Sequence, residues 1–196
     1  MGSILSSPTP ELKPEPTTKH RAKKIIFIGP VNVGKTSLLT RFTQDSFDEN
    51  IPPTEGVDLI RVTLPHTERP TLVWDCCGKE RYWYAVPAFS RDARVVVAVY
   101  DVTSRASFDD VLRKIESHAG QAHVDPTPTW YVLVGNKIDM EARREVESVV
   151  GEEVAGKMGH GFLETSARSG VGVGELFEVL GRIVAGEHDD EKVIGH

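Results

Sequence analysis

Lys24-Ile25-Ile26-Phe27-Ile28-Gly29-Pro30-Val31-Asn32-Val33-Gly34-Lys35-Thr36 decides how this chain folds. Ile25 to Ile28 form a short apolar run, as expected of a strand buried on both faces, and Gly29 stops it. Past the turn, Leu38, Leu39 and Phe42 recur at helical spacing over Thr36 to Gln44. Gly29 to Thr36, between strand and helix, fits the pattern G-x-x-x-x-G-K-[ST]. Backbone N–H groups from Asn32 to Thr36 can turn inward around phosphate oxygens, helped by the positive end of the helix. Gly34 allows close approach, Lys35 reaches the outer phosphates, and the Thr36 hydroxyl is placed for Mg²⁺. Asn32, Val33, Gly34, Lys35, Thr36 and Ser37 are therefore the expected phosphate-binding residues.

Working outward, the strand–helix alternation repeats. Val57 to Leu64 reads as a partly exposed strand, and Leu72-Val73-Trp74 enters another after a turn near Pro65-His66. Val95 to Tyr100 and Trp130 to Val134 are buried strands, and Phe162-Leu163 marks a short last one. Val111, Leu112 and Ile115 stripe one helix, and Val149, Val150 and Val154 another. Leu176, Phe177, Leu180 and Ile183 stripe a closing helix. The expected fold is α/β, a mostly parallel six-stranded sheet with helices on both faces and its ligand beyond the carboxyl ends of the strands. Residues 23–186 form this domain. Residues 1–22, with Pro8, Pro10, Pro14 and Pro16, read as a disordered extension, and 187–196, with Asp189-Asp190-Glu191, as an acidic flexible tail.

The 196 residues suit one domain, and 39% hydrophobic residues suffice for a core. A net charge of −6 argues against a nucleic-acid partner. No apolar run approaches the roughly 20 residues that span a bilayer. The only cysteines, Cys76 and Cys77, are adjacent and read as reduced thiols filling small buried space rather than a vicinal disulfide. The histidines (His20, His66, His118, His123, His160, His188, His196) lack ligand spacing and read as surface residues.

A phosphate loop does not choose a base. Asn136-Lys137-Ile138-Asp139, after the strand ending near Gly135, resembles the N-K-x-D motif of Ras-like small GTPases. The resemblance implies a P-loop Ras-like domain, a GTP/GDP ligand, Mg²⁺ and GTP hydrolysis. It implies that Asp139 accepts from guanine N1–H and the exocyclic amine, that Lys137 lies over the ring, and that Asn136 ties loops together. Adenine lacks that donor pair, which argues against an ATP-using enzyme. Thr165-Ser166-Ala167-Arg168 resembles the third base loop, where the Ala167 N–H would meet guanine O6 and Arg168 stands for the usual lysine. Phe47 is placed either to pack on the base or as a core residue.

Over roughly residues 23–185 the likeness is nearest the Rab branch, which implies vesicle or membrane traffic. Thr54-Glu55-Gly56-Val57-Asp58-Leu59 is similar to T-I-G-V-D-F, with Thr54 as the switch I residue that closes on Mg²⁺. Trp74-Asp75-Cys76-Cys77-Gly78-Lys79-Glu80-Arg81-Tyr82 is similar to W-D-T-A-G-Q-E-R-Y, with Asp75 near Mg²⁺ and the Gly78 N–H sensing the γ-phosphate. Exchange factors and effectors would meet switch I and switch II. Two departures bear on catalysis. Lys79 replaces the family's water-orienting glutamine, and an ammonium donates but cannot accept. Val31 puts a branched side chain where many relatives have a small one. Slow hydrolysis is the expectation, unless Lys79 points to solvent and another group positions water. A pseudo-GTPase serving as a nucleotide-bound subunit of a larger assembly is the alternative.

Met1-Gly2-Ser3-Ile4-Leu5-Ser6 fits M-G-x-x-x-[ST], the pattern for N-myristoylation at Gly2, or is a chance start. One acyl chain anchors only marginally, and Lys19, Arg21, Lys23 and Lys24 offer a weak basic patch unless the last two belong to the first strand. Rab-like proteins usually end in prenylated cysteines, and Val193-Ile194-Gly195-His196 has none. The expected location is cytoplasmic, or peripheral on the cytosolic face of an endomembrane when acylated.

Overall fold

Six strands form one sheet in the order β2-β3-β1-β4-β5-β6. They are β1 (Lys24–Ile28), β2 (Val57–Val62), β3 (Thr71–Cys76), β4 (Val95–Asp101), β5 (Trp130–Asn136) and β6 (Gly161–Thr165). Only β2 runs antiparallel, paired to β3 from Val57↔Cys76 to Val62↔Thr71. The computed structural model describes residues 23–81, 88, 93–119 and 129–186. Among these the helices are α1 (Lys35–Gln44), α2 (Arg105–Ala119), α3 (Ser148–Lys157) and α4 (Val173–Ala185), with a 3₁₀ segment at Ile138–Arg143. The sheet and its helices are those expected. Gly2, the residues on either side of the domain and Tyr82 lie outside the described residues.

Alternation along each strand divides the core in two, because successive side chains point to opposite faces. Ile25, Phe27, Val97 and Val99 pack with Leu38 and Leu39 of α1 and Leu176, Phe177 and Leu180 of α4. Ile26, Ile28, Val96, Ala98 and Tyr100 pack with Phe108, Val111 and Ile115 of α2 and Ala155 of α3. On the first face the Phe177 ring stacks on Phe42 at 3.8 Å and Phe27 at 6.2 Å between centroids. Burying each such ring is worth roughly 1.5–3 kcal/mol, and together they fix α1 and α4 against the central strands.

Three local readings are corrected. β2 ends at Val62, not Leu64, because Leu64 opens a turn in which Thr67 N donates to its carbonyl at 3.3 Å and His66 takes φ 60°. Val149 is 57% exposed. The buried residues of α3 are Gly151 and Ala155, since a Cβ on Gly151 would stand 2.5 Å from the Phe162 ring and the helix approaches the sheet along that glycine. His160 is half-buried rather than a surface residue, stacked on Tyr131 with centroids 4.8 Å apart. Among the described residues no helix is long and apolar enough to cross a membrane.

Candidate functional site

The carboxyl ends of the parallel strands open into a cavity of about 390 Å³, lined among others by Asn32, Thr36, Phe47, Thr54, Gly78 and Asp139. Local backbone chemistry shapes its floor. Gly29 takes φ 147°, and a Cβ there would lie 2.2 Å from the Val99 carbonyl oxygen. Gly34, at φ 96°, caps α1, and a Cβ on it would meet Asn136 Nδ2 at 2.2 Å. Asn32 supplies a further left-handed residue, φ 65°. No side chain caps α1 and no acidic residue lies in its first turn. Its leading N–H groups therefore suit an anion. Val33 behaves differently from its neighbours: its side chain is buried in the core, so only its backbone serves the loop.

Lys35 is buried, and its Nζ donates to the carbonyls of Gly29 at 2.9 Å and Pro30 at 2.8 Å. Burial pulls its pKa down to about 8, with Asp75 opposing. An anion beside it would favour the charged form. Thr36, Thr54 and Asp75 converge: the Thr36 hydroxyl donates to Asp75 Oδ2 at 2.6 Å, Thr54 Oγ1 does so at 3.4 Å, and the two hydroxyl oxygens lie 3.0 Å apart. Asp75 Oδ1 is buried with no hydrogen-bond partner, and desolvation pushes the carboxyl pKa up. A cluster of hard oxygens with a spare carboxylate oxygen fits Mg²⁺, which takes one or two carboxylates and completes its shell with other oxygens. Thr36, Thr54 and Asp75, all three expected residues, would hold that ion.

The opposite end is braced by Asn136. Its Nδ2 donates to the Val33 carbonyl at 2.8 Å, and its Oδ1 accepts from Thr165 Oγ1 and Ala167 N, both at 3.2 Å. The Ala167 N–H, which the resemblance directs at guanine O6, is thus held by Asn136 here. Lys137 adopts φ 72° and its Nζ sits 2.6 Å from Asp101 Oδ2. Asp139 Oδ1 accepts from the Ser166 hydroxyl at 2.6 Å, and its Oδ2 is 3.5 Å from Arg168 Nε. Phe47 lines the cavity and also packs against the core, with the Arg168 guanidinium 5.4 Å from its ring centroid. Arg168 also pairs with Glu49. Ser37 lines the cavity beside Thr36.

The switch segments meet at the mouth. Cys77 N donates to the Gly56 carbonyl at 2.8 Å, and a Cβ on Gly78 would lie 2.3 Å from Pro30 C and 2.4 Å from Val31 N. Val31 lines the cavity. Lys79 does not point into it. Its ammonium is 2.8 Å from the Glu55 carboxylate. Cys76 and Cys77 are buried and free, as expected, and burial pushes the Cys76 thiol up to about 12, which disfavours the nucleophilic thiolate. Among the described residues no group of three or more His, Cys, Asp or Glu could hold a metal. Sequence reading missed Asp101, Glu49 and Glu55 as partners of Lys137, Arg168 and Lys79. The strand-end register Asp101↔Asn136 places Asp101 beside the base loop, and residue order alone does not show that register.

A parallel sheet with a phosphate loop after its first strand, an oxygen cluster beside it and a base loop after its fifth defines a P-loop nucleotide-binding protein. The particular family follows from sequence comparison: the family model described as "Ras family" matches residues 24–185. The chain belongs to the Ras family of small GTPases, proteins that bind GTP or GDP with Mg²⁺ and act as switches toward regulators and effectors.

Proposed function

We propose that this chain is a Rab-like switch of vesicle or membrane traffic that retains GTP and hydrolyses it slowly. The observation that carries this is the Lys79–Glu55 ion pair. Lys79 stands where the family places its water-orienting glutamine, and its ammonium, a group with donors only, is turned to Glu55 outside the cavity lining. Val31 lines the cavity, its backbone N close against Gly78, and a branched side chain at this position would crowd a glutamine or an arginine from an activating protein. Thr54 to Leu59 and Trp74 to Arg81 support placement in the Rab branch through their likeness to its switch motifs.

Single-turnover hydrolysis tests this reading. Lys79→Gln and Val31→Gly should each raise the rate, Lys79→Gln by about tenfold, equivalent to about 1.4 kcal/mol off the barrier. The purified wild type should carry GTP. A wild-type rate equal to that of ordinary relatives, unchanged by either substitution, would sink the proposal. The same ion pair is compatible with a nucleotide-bound subunit of a larger assembly, which a partner indifferent to GTP and GDP would identify.

A further inference from the structure

Thr54 lies 3.0 Å from the Thr36 hydroxyl oxygen, and Gly78 abuts the phosphate loop at Pro30 and Val31. Each is followed at once by a charged residue, Glu55 and Lys79, and those two charges meet. Both are departures from the motifs the segments otherwise resemble: Glu55 stands at an isoleucine position and Lys79 at a glutamine position. Paired departures of opposite charge, in contact across 24 residues of chain, define a local device rather than two independent losses.

The device extends an existing ladder. The β2–β3 pairing ends at Val57↔Cys76, and the hydrogen bond from Cys77 N to the Gly56 carbonyl at 2.8 Å carries it one step further. Continued one more step, that register sets Glu55 opposite Gly78, and Lys79, the next residue along, reaches back to the Glu55 carboxylate. The hairpin therefore holds the two residues near each other before their side chains pair, so less chain freedom is lost than for two untethered surface residues. At 32% and 72% side-chain exposure the pair is wet and screened, so it can bias an equilibrium but cannot lock it. Arg81 adds a weaker attraction to Glu55 from the same segment.

We propose that Glu55 and Lys79 are positioning residues that clasp switch I to switch II and so tilt the protein toward the closed, triphosphate-bound arrangement over the diphosphate-bound one. The clasp deepens the reading of the site as a GTP-retaining switch, on which it rests. It acts only on the arrangement in which Thr54 sits on Thr36 and Gly78 on the phosphate loop. Its effect therefore appears as nucleotide preference rather than as general affinity.

The test is a double-mutant cycle of Glu55→Gln and Lys79→Met, read as the ratio of GDP to non-hydrolysable GTP-analogue dissociation constants with Mg²⁺ present. Because the analogue is not cleaved, hydrolysis does not enter, and this outcome stands apart from the turnover assays above. Glu55→Gln should lower the preference for the triphosphate by about twofold to fivefold when Lys79 is present, and by much less when it is Met. Raising salt to about 0.5 M should erode the wild-type preference and leave that of the double variant nearly unchanged. GDP affinity and melting temperature check that every variant folds. Equal effects of Glu55→Gln in both backgrounds, or no effect on the ratio, would overturn the clasp even if hydrolysis proves slow.

Discussion

Asn136 Nδ2 donates to the Val33 carbonyl at 2.8 Å, joining the end of β5 to the phosphate loop across 103 residues of sequence. The same side chain accepts from Thr165 and Ala167, so one buried amide holds the phosphate-side and base-side halves of the cavity in register. Asn136→Ala leaves a carbonyl, a hydroxyl and an N–H without partners, at about 1–3 kcal/mol for each one that stays dry. Affinity for GDP should fall by at least about tenfold, with a lower melting temperature that excess nucleotide only partly restores. Titration calorimetry and thermal melts of the two proteins check it. Unchanged GDP affinity would show that the brace does not matter to the ligand.

Gly78 has no room for a side chain: its added Cβ would fall within 2.5 Å of three backbone atoms of Pro30 and Val31. Backbone cannot swing aside as a flexible side chain can, so Gly78→Ala should hold switch II off the phosphate loop. The overpacking cost, about 1–3 kcal/mol, should fall on the closed arrangement alone. GTP-analogue affinity should therefore drop while GDP affinity and melting temperature hold. Parallel loss of both affinities would mean that Gly78 contacts the loop in both states.

Phe177 is buried between the rings of Phe42 and Phe27 and so couples α1, which begins at the phosphate loop, to α4 and the sheet. Phe177→Ala should cost about 3–5 kcal/mol of stability, measured by urea unfolding at fixed excess GDP. A loss below about 1 kcal/mol would mean that the surrounding side chains collapse into the space.

Local patterns made most of this legible in the sequence. The strand–glycine–helix run at β1 and α1, and the turn after β5, are continuous stretches whose spacing carries their chemistry, and the structure puts Lys35, Thr36, Asn136 and Asp139 around one cavity. What escaped depends on register across the sheet or on close approach. Glu55 comes within reach of Lys79 because the Val57↔Cys76 register carries the two segments past each other with Glu55 beside Gly78, and Asp101 meets Lys137 because β4 and β5 end level. Neither alignment is visible in one chain's residue order. Val149 escaped for a different reason: helical spacing marks an apolar stripe but does not say that Gly151, with no side chain, is where α3 comes closest to Phe162.

His160 gives stability an acid limb. It is half-buried against Tyr131, and desolvation lowers its pKa below the ordinary 6.5, with a backbone hydrogen bond to Gly159 opposing. The folded protein thus binds the imidazole proton less readily than the unfolded chain. Stability from this group is fully present above 6.5 and is lost as pH falls through 6.5 toward the lower folded value. His160→Phe keeps a ring on Tyr131 and removes the titration, while every other group titrates in both proteins and cancels. The difference in urea midpoint between His160→Phe and wild type should be constant above 6.5 and grow in favour of the variant below it. Parallel pH profiles would show that the imidazole charges as easily in the fold as in water, and that its stacked position on Tyr131 imposes no desolvation.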